Sequence, residues 1–519
     1  MRRLAFSLMN SLLSLLIRFI KTINLINMFL ITIVRWTLLF YKHRGFLPVQ
    51  HVNSWISSLR TWVFSLSIIL FLFYTIGRIE QLDIVISALS ALAIGLALPT
   101  VGRTVQIMTL FFVAAGTWLV INQGTTFYNY ILIYGDMLYL LTLFAMLPVL
   151  ALPIRIGDYT KAIDYVFSKH VRSTFASYTL ISSVSYVMGV LLNLAAVPMV
   201  YHSVKTSVER LLASNREKFL SVAIVHGYVL PVIWTPLSGV VGVFVALTHV
   251  NWLSIAAELV IISLCGLLFN WIFFYFTAIR KNVYPVQERS IQIDTVAETE
   301  ATMQLDDNLE TKRKLIQIGI AVVSLILLIV GIDHYFHIGL VLTATLISVP
   351  FAWIWSLLIR KGKECAQGTA AHFKKYIPTM SEQFAIFLSA AFFAQSIKFS
   401  HLDVQINEFL LGFSHWIGDN VFLVLLPLVP LLFSFLGMHP IVTATLLAQA
   451  LDPAVLGLSP EDMTVALLGG AVLTFYIGPF SGTLGVMSSL IRFSSFRILT
   501  WNLWQCFAFY VIVALFLIF

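Results

Sequence analysis

The sequence has little charge and little cysteine, and it lacks the motifs of the common soluble enzymes. Only 11% of its 519 residues are Asp, Glu, Lys or Arg, whereas a soluble domain carries about 25%. The three cysteines (Cys265, Cys365 and Cys506) are scattered and indicate neither a disulfide framework nor a metal site. No phosphate-binding glycine loop, GxSxG, HExxH or paired-cysteine motif is present. We therefore expect a protein that is not an enzyme and has no cofactor or metal centre.

Apolar residues make up 59% of the sequence, and the mean hydropathy is +0.92. Many apolar runs reach the roughly 20 residues that a membrane-spanning helix needs. The runs are continuous rather than alternating, which excludes a membrane β-barrel. The net charge of +8 fits basic loops on the cytoplasmic side, and no basic soluble face indicates nucleic acid as a partner. The sequence predicts an all-α polytopic membrane protein whose partner is the lipid bilayer.

A broken apolar segment occurs twice, 243 residues apart. Residues 228–244 read YVLPVIWTPLSGVVGVF and residues 471–487 read AVLTFYIGPFSGTLGVM, with seven identities over 17 ungapped positions. Pro and Gly interrupt a helix, and backbone groups freed inside hydrocarbon need another partner. Paired interruptions in the two halves of a chain are typical of the binding site of a secondary transporter. Two unrelated proline-kinked helices are the alternative.

The rest of the chain is predicted to be membrane helices joined by short loops. Apolar spans are expected at about 24–41, 60–77, 81–100, 105–121, 135–153, 253–279, 315–332, 338–359, 381–398 and 500–518, and residues 5–20 form an amphipathic or short spanning helix. Residues 173–200 are expected to form a re-entrant hairpin, and 421–436 with 440–451 form a second. Residues 154–172 predict a basic surface helix, residues 201–218 a basic loop, and residues 280–314 a polar cytoplasmic linker.

Charge distribution predicts that the two halves have opposite orientations. If the linker is cytoplasmic, the basic segments 154–172 and 201–218 are inside, and 401–419 and 451–462, which contain no Lys or Arg, are outside. The result is an inverted-topology repeat in which each half has a re-entrant hairpin and a broken transmembrane helix. The predicted parts are N-terminal scaffold-like helices (1–134), a first repeat (135–279), the linker (280–314) and a second repeat (315–519).

The breaks and the hairpin tips are expected to converge near the middle of the membrane and bind solute and ion. The candidate residues are Asn193, Thr235, Pro236, Ser238, Gly239, His439, Thr443, Gly478, Pro479, Ser481, Gly482 and Thr483. The half-helix after each break offers free N–H groups and a positive dipole end, which favour an anion. The half-helix before it offers free carbonyls, which suit sodium. Helix capping by serine, close packing at glycine and a satisfied structural histidine are the alternatives.

Other polar residues in or near the spans are weaker candidates. They are Asp136, His226, Glu258 and Glu382, of which Glu258 could couple transport to protons.

The arrangement resembles the ion-transporter superfamily of secondary carriers, over about residues 135–519. The resemblance depends on Asn193 with Pro236-Leu237-Ser238-Gly239, and on Gly437-Met438-His439-Pro440 with Pro479-Phe480-Ser481-Gly482. Of the Ser-Asn-Thr hairpin tips in the sodium/dicarboxylate branch, only Asn193 is matched, which indicates a distinct branch. The resemblance implies a transport domain that moves against a scaffold, formed by the early spans and 315–359, in a homodimer.

Together these observations predict a secondary active transporter of a small anionic solute. Sodium ions or protons are the expected coupling ions, and the mechanism is elevator-like alternating access. The alternatives are an uncoupled channel or exporter and a non-transporting membrane scaffold or assembly factor. An N-terminus without a clear cleavage site and the basic cytoplasmic loops fit a bacterial inner membrane.

Overall fold

The computed structural model of the chain describes residues 49–77, 79–159, 173–279, 283–284 and 303–519. The regular elements in these residues are helices. Ten helical stretches among them are long and apolar enough to cross a membrane. The protein is therefore an all-α polytopic membrane protein, as its composition predicts. The predicted helices at 5–20 and 24–41 lie outside the described residues, as do most of the surface helix 154–172 and most of the linker 280–314.

The first half of the described chain contains eleven α-helices. They are α1 (Val49–Gly77), α2 (Asp83–Ala97), α3 (Arg103–Asn122), α4 (Phe127–Leu132), α5 (Leu138–Met146), α6 (Ala151–Ile156), α7 (Thr174–Leu192), α8 (Ala196–Leu211), α9 (Arg216–Tyr228), α10 (Gly239–Thr248) and α11 (Trp252–Phe274). Helices α7 and α8 pack against each other and form a helical hairpin with its tip at Asn193.

The second half of the described chain contains twelve α-helices. They are α12 (Met303–Phe336), α13 (Leu340–Leu358), α14 (Gly362–Tyr376), α15 (Ser381–Phe399), α16 (Leu402–Ile417), α17 (Asp419–Leu425), α18 (Leu428–Phe435), α19 (Pro440–Ala450), α20 (Pro453–Leu456), α21 (Pro460–Ile477), α22 (Gly482–Ile491) and α23 (Ser495–Ile518). Helices α18 and α19 pack together as the second hairpin, with His439 at its tip.

Two segments predicted to be polar loops are helical over part of their length. Residues 201–211 continue α8, because Val204, Val208 and Leu211 recur on one buried face. The opposite face is exposed and carries Lys205 and Glu209, which form an ion pair at 3.8 Å. At the linker, α12 begins at Met303, inside the predicted polar segment. The residues there, MQLDDNLETKRK, include many good helix formers, so the helix of the apolar span begins before its apolar part.

The two halves repeat their helix boundaries with the same offset. Helices α10 and α22 each have ten residues and begin 243 positions apart, at Gly239 and Gly482. Helices α11 and α23 follow at Trp252 and Ser495, with the same separation. The first arms of the two hairpins end at Leu192 and Phe435, again 243 apart. The repeat found in the sequence is thus also a repeat of secondary structure, and the opposite membrane orientation of its halves stays a prediction.

A buried hydrogen-bond network centred on His226 joins the two halves. The Asn502 amide Nδ2 donates to the Ile498 carbonyl at 3.0 Å, so its Oδ1 accepts from His226 Nε2 at 3.0 Å. His226 Nδ1 then accepts from the Tyr178 hydroxyl at 2.7 Å. His226 is 0% exposed, and both ring nitrogens are satisfied in the neutral form. The network identifies His226 as a structural residue that ties α7 and α9 to α23.

Replacing His226 with Phe should therefore lower stability strongly. The substitution leaves the Tyr178 hydroxyl and the Asn502 oxygen buried without partners, and each such group costs about 1–3 kcal/mol. The measurement is thermal unfolding of the purified protein in detergent. His415→Phe is the matched control, since His415 is exposed on α16. Equal melting temperatures for the two variants would contradict the structural role.

Candidate functional site

Both repeated segments are broken where the sequence predicts. In the first, α9 ends at Tyr228, a single 3-10 turn covers Pro231–Ile233, and α10 begins at Gly239. In the second, α21 ends at Ile477 and α22 begins at Gly482. Pro236 and Pro479 lie in the breaks and are buried. Because proline has no N–H, neither break can be closed by the regular helical bond.

The first turn of each new half-helix contains a buried hydroxyl without a partner. Ser481 caps α22, accepting from the Leu484 N–H at 3.4 Å. Ser238 occupies the equivalent position on α10, but its Oγ makes no capping bond and has no partner, although the residue is only 1% exposed. On α22 the unpartnered hydroxyl is that of Thr483, which is 0% exposed. Each half-helix therefore begins with an N-terminal dipole and one unused hydroxyl.

The tip of the first hairpin meets the start of the second half-helix. Asn193 has φ +50° and ψ −136°, a sparsely populated backbone conformation outside the left-handed helical region. Its Oδ1 accepts from the Tyr228 hydroxyl at 3.3 Å. The Thr483 hydroxyl lies near the same Tyr228 side chain but does not meet hydrogen-bonding geometry with it, and a Cβ on Gly482 would lie 3.1 Å from Leu194. We call Asn193, Leu194, Tyr228, Gly482 and Thr483 the first-tip cluster.

The tip of the second hairpin meets the start of the first half-helix. A Cβ on Gly239 would lie 2.6 Å from the Phe144 ring and 3.3 Å from Ile441. The Phe387 ring lies 5.6 Å from the Phe144 ring and 5.5 Å from His439. We call Phe144, Gly239, Phe387, His439 and Ile441 the second-tip cluster. Each cluster thus combines the hairpin of one half with the half-helix of the other.

The side chains of His439 and Thr443 form hydrogen bonds within their own helix, α19. His439 Nδ1 accepts from the Ile441 N–H at 3.3 Å and so caps α19. The Thr443 hydroxyl is buried and donates to the His439 carbonyl at 3.4 Å, within its own helix. These two bonds do not involve His439 Nε2.

Each break also contacts the hairpin of its own half. The Thr235 hydroxyl donates to the Val190 carbonyl at 3.3 Å, near the first tip. A Cβ on Gly478 would lie 2.9 Å from the Ser434 hydroxyl, near the second tip, so glycine allows this close approach.

Side chains donate hydrogen bonds to two of the carbonyls at the first break, where the sequence predicts carbonyls that suit sodium. The Ser263 hydroxyl donates to the Leu230 carbonyl at 2.9 Å, and Trp252 Nε1 donates to the Trp234 carbonyl at 2.9 Å. The Trp234 indole itself donates to the Tyr186 hydroxyl at 2.9 Å. These bonds supply the partners that a broken helix needs in hydrocarbon. A carbonyl oxygen that already accepts a hydrogen bond is also less available to bind a cation at this break.

Sequence reasoning missed the residues that complete the two clusters. Tyr228, Phe144 and Phe387 lie in apolar helices, where an aromatic side chain is usually a packing residue. A tyrosine inside an apolar run does need a partner for its hydroxyl, and that signal was available for Tyr228. Phe144 and Phe387 join the site only through tertiary contacts.

The described fold is similar to that of a solved transporter. The Alcanivorax borkumensis YdaH transporter, whose crystal structure reveals an unusual topology, matches with a TM-score of 0.53 and 13% sequence identity. The match covers 79% of this chain and 97% of that chain. No protein-family model and no curated protein matches the sequence. The similarity shows a shared transporter-like fold, and membership of the ion-transporter superfamily stays a prediction.

Equivalent glycines of the two half-helices should respond differently to alanine. A Cβ on Gly242 of α10 would lie 2.6 Å from a Val341 methyl group, whereas Gly485 of α22 has nothing within 4 Å. Gly242→Ala should lower stability by about 1–3 kcal/mol through overpacking. Gly485→Ala should be neutral or stabilising, by up to about 1 kcal/mol, because alanine favours a helix. Thermal unfolding of both variants tests this, and a reversed order would contradict the packing of α10.

Proposed function

We propose that the protein is a secondary active transporter of a small anionic solute, coupled to sodium or protons, and not an enzyme. The observation that carries the proposal is the pair of buried, unpartnered hydroxyls, Ser238 Oγ and Thr483 Oγ1. They lie in the first turns of two half-helices of equal length. The transporter-like fold supports the same conclusion at the level of protein class.

The physical argument for an anion combines dipoles and unused donors. Helix N-termini present free N–H groups and positive potential, and each hydroxyl can add one more hydrogen bond. A buried hydroxyl without a partner costs about 1–3 kcal/mol, which a bound acceptor would remove. No carboxylate belongs to either tip cluster to repel an anion. We place the solute where the half-helix starts meet the hairpin tips.

The two half-helices α10 and α22 have equal lengths but different surroundings, and this difference supports alternating access. The face of α10 that contains Gly242 is packed against Val341, whereas the equivalent face of α22 at Gly485 is open. We propose that the two repeats have opposite orientations and that an elevator-like movement exchanges these environments. Residues 1–134 and 315–359 would form the scaffold, in a homodimer, in a bacterial inner membrane.

Solute binding should be visible as thermal stabilisation. A panel of small anions is tested on the purified protein, in sodium and in potassium salt. A ligand at about 100 times its dissociation constant adds about 2.7 kcal/mol to the stability of the folded state. Ser238→Ala and Thr483→Val should each weaken the shift. Without solute, Ser238→Ala should not lower the melting temperature, because the Ser238 hydroxyl has no hydrogen bond to lose, and Thr483→Val should change it little.

Ser489→Ala is the matched control, since Ser489 is exposed on the same half-helix and donates to the Val486 carbonyl. It should keep the full ligand shift. Each anion that stabilises the wild-type protein should then be tested for uptake into proteoliposomes, where saturable, gradient-driven transport is expected. If no anion stabilises the protein in either salt, the anionic solute is wrong. Ion conductance above carrier rates would instead favour a channel.

A further inference from the structure

We propose that Asp136, Gln395 and Gln449 form a sodium-binding site. Asp136 follows a 3-10 turn between α4 and α5 and is partly buried. Its Oδ2 accepts from Gln395 Nε2 at 2.6 Å and from Gln449 Nε2 at 3.1 Å. Both donors are neutral amides, and no ion pair to this carboxylate is found in the described part of the chain. The carboxylate charge is therefore uncompensated in a protein with very few charges.

An unused oxygen lies next to this carboxylate. Gln449 is 4% exposed, and its Oε1 is buried without a hydrogen-bond partner. Because Oε1 and Nε2 share one carbon atom, this oxygen lies beside Asp136. The Tyr139 hydroxyl, one helical turn beyond Asp136 and within reach of its charge, is also buried without a partner. The Asp136 carboxylate and the Gln449 amide oxygen thus offer two kinds of oxygen ligand and one negative charge at the same contact.

This chemistry fits a monovalent cation. Rotation of a glutamine amide replaces its N–H groups with its oxygen, so Gln395 and Gln449 can donate to the carboxylate without an ion and ligate an ion when it binds. Calcium and transition-metal sites use more charged or imidazole ligands. No group of three or more His, Cys, Asp or Glu suited to a metal occurs in the described ranges. One carboxylate with neutral oxygens favours sodium.

The position of the site connects it to the second hairpin. Gln449 lies at the end of α19, and His439 caps its other end. Asp136 belongs to the segment before α5, and Gln395 to α15. The Thr445 hydroxyl also contacts Met137 Sδ at 3.2 Å along the same interface. An ion shared by Asp136 and Gln449 would fix α19 against this segment and so position the His439 tip. That coupling role rests on the proposed transport function, whereas ion binding itself does not.

The test measures sodium binding to the purified full-length protein in detergent. Melting temperatures are compared in sodium chloride and in choline chloride at equal ionic strength, and radioactive sodium binding is measured directly. The wild type should show saturable binding and a sodium-dependent increase in melting temperature. Asp136→Asn should abolish both effects, and Gln449→Leu should weaken sodium affinity at least tenfold.

Two controls remove similar groups elsewhere. Asp333→Asn changes another carboxylate with an unpartnered buried oxygen, and Gln505→Leu changes another buried glutamine of the same kind. Both should keep the sodium effect. The proposal is overturned if Asp136→Asn binds sodium like the wild type; if that variant does not fold, unchanged sodium affinity of Gln449→Leu overturns it.

The experiments can refute the transport proposal and the sodium-site proposal independently. Normal sodium binding in Ser238→Ala and Thr483→Val, with no solute found, would refute the transport proposal alone. Solute binding that is independent of Asp136 and of sodium would refute this inference alone.

Discussion

The central constraint on this protein is that a helix broken inside a membrane must find new partners for its backbone. Pro236 and Pro479 prevent the regular bonds at the two breaks, and lipid offers no replacement. Side chains supply part of what is missing: Ser263 and Trp252 of α11 bind carbonyls at the first break, and Ser481, in the second break, caps its own half-helix. The hairpin tips pack against the half-helix starts because this is where polar groups can be paired away from lipid.

At the first break two carbonyls accept hydrogen bonds from side chains, whereas each half-helix start keeps a buried hydroxyl without a partner. Ser238 and Thr483 keep free hydroxyls in positions that are otherwise closely packed. The asymmetry has a consequence for binding, because an occupied carbonyl disfavours a cation whereas an N-terminus with a free hydroxyl favours an anion. The breaks are therefore better suited to the solute than to its coupling ion.

The sequence was most informative where local chemistry decides the structure. Proline and glycine located both breaks, and the apolar runs located most spans within a few residues. It was least informative where tertiary contact decides. Nothing local shows that Gly239 meets Phe144, or that the tip of each hairpin contacts the half-helix of the other half. The basic residues of 201–218 predict a loop, whereas α8 extends to Leu211 because its valines on one face form the buried side of an amphipathic helix.

A coupling-ion site at Asp136, away from the hairpin tip, also agrees with the geometry of the second hairpin. An ion bound within a tip would compete directly with an anionic solute for the same few groups or would have to share them. An ion bound at Asp136 would act at the far end of α19 and could influence the tip through that helix, whose eleven residues span about 16 Å. A rigid helix transmits such a shift because its backbone bonds are satisfied internally. Coupling would then arise from the position of one helix, which both ligands favour, rather than from contact between the ligands.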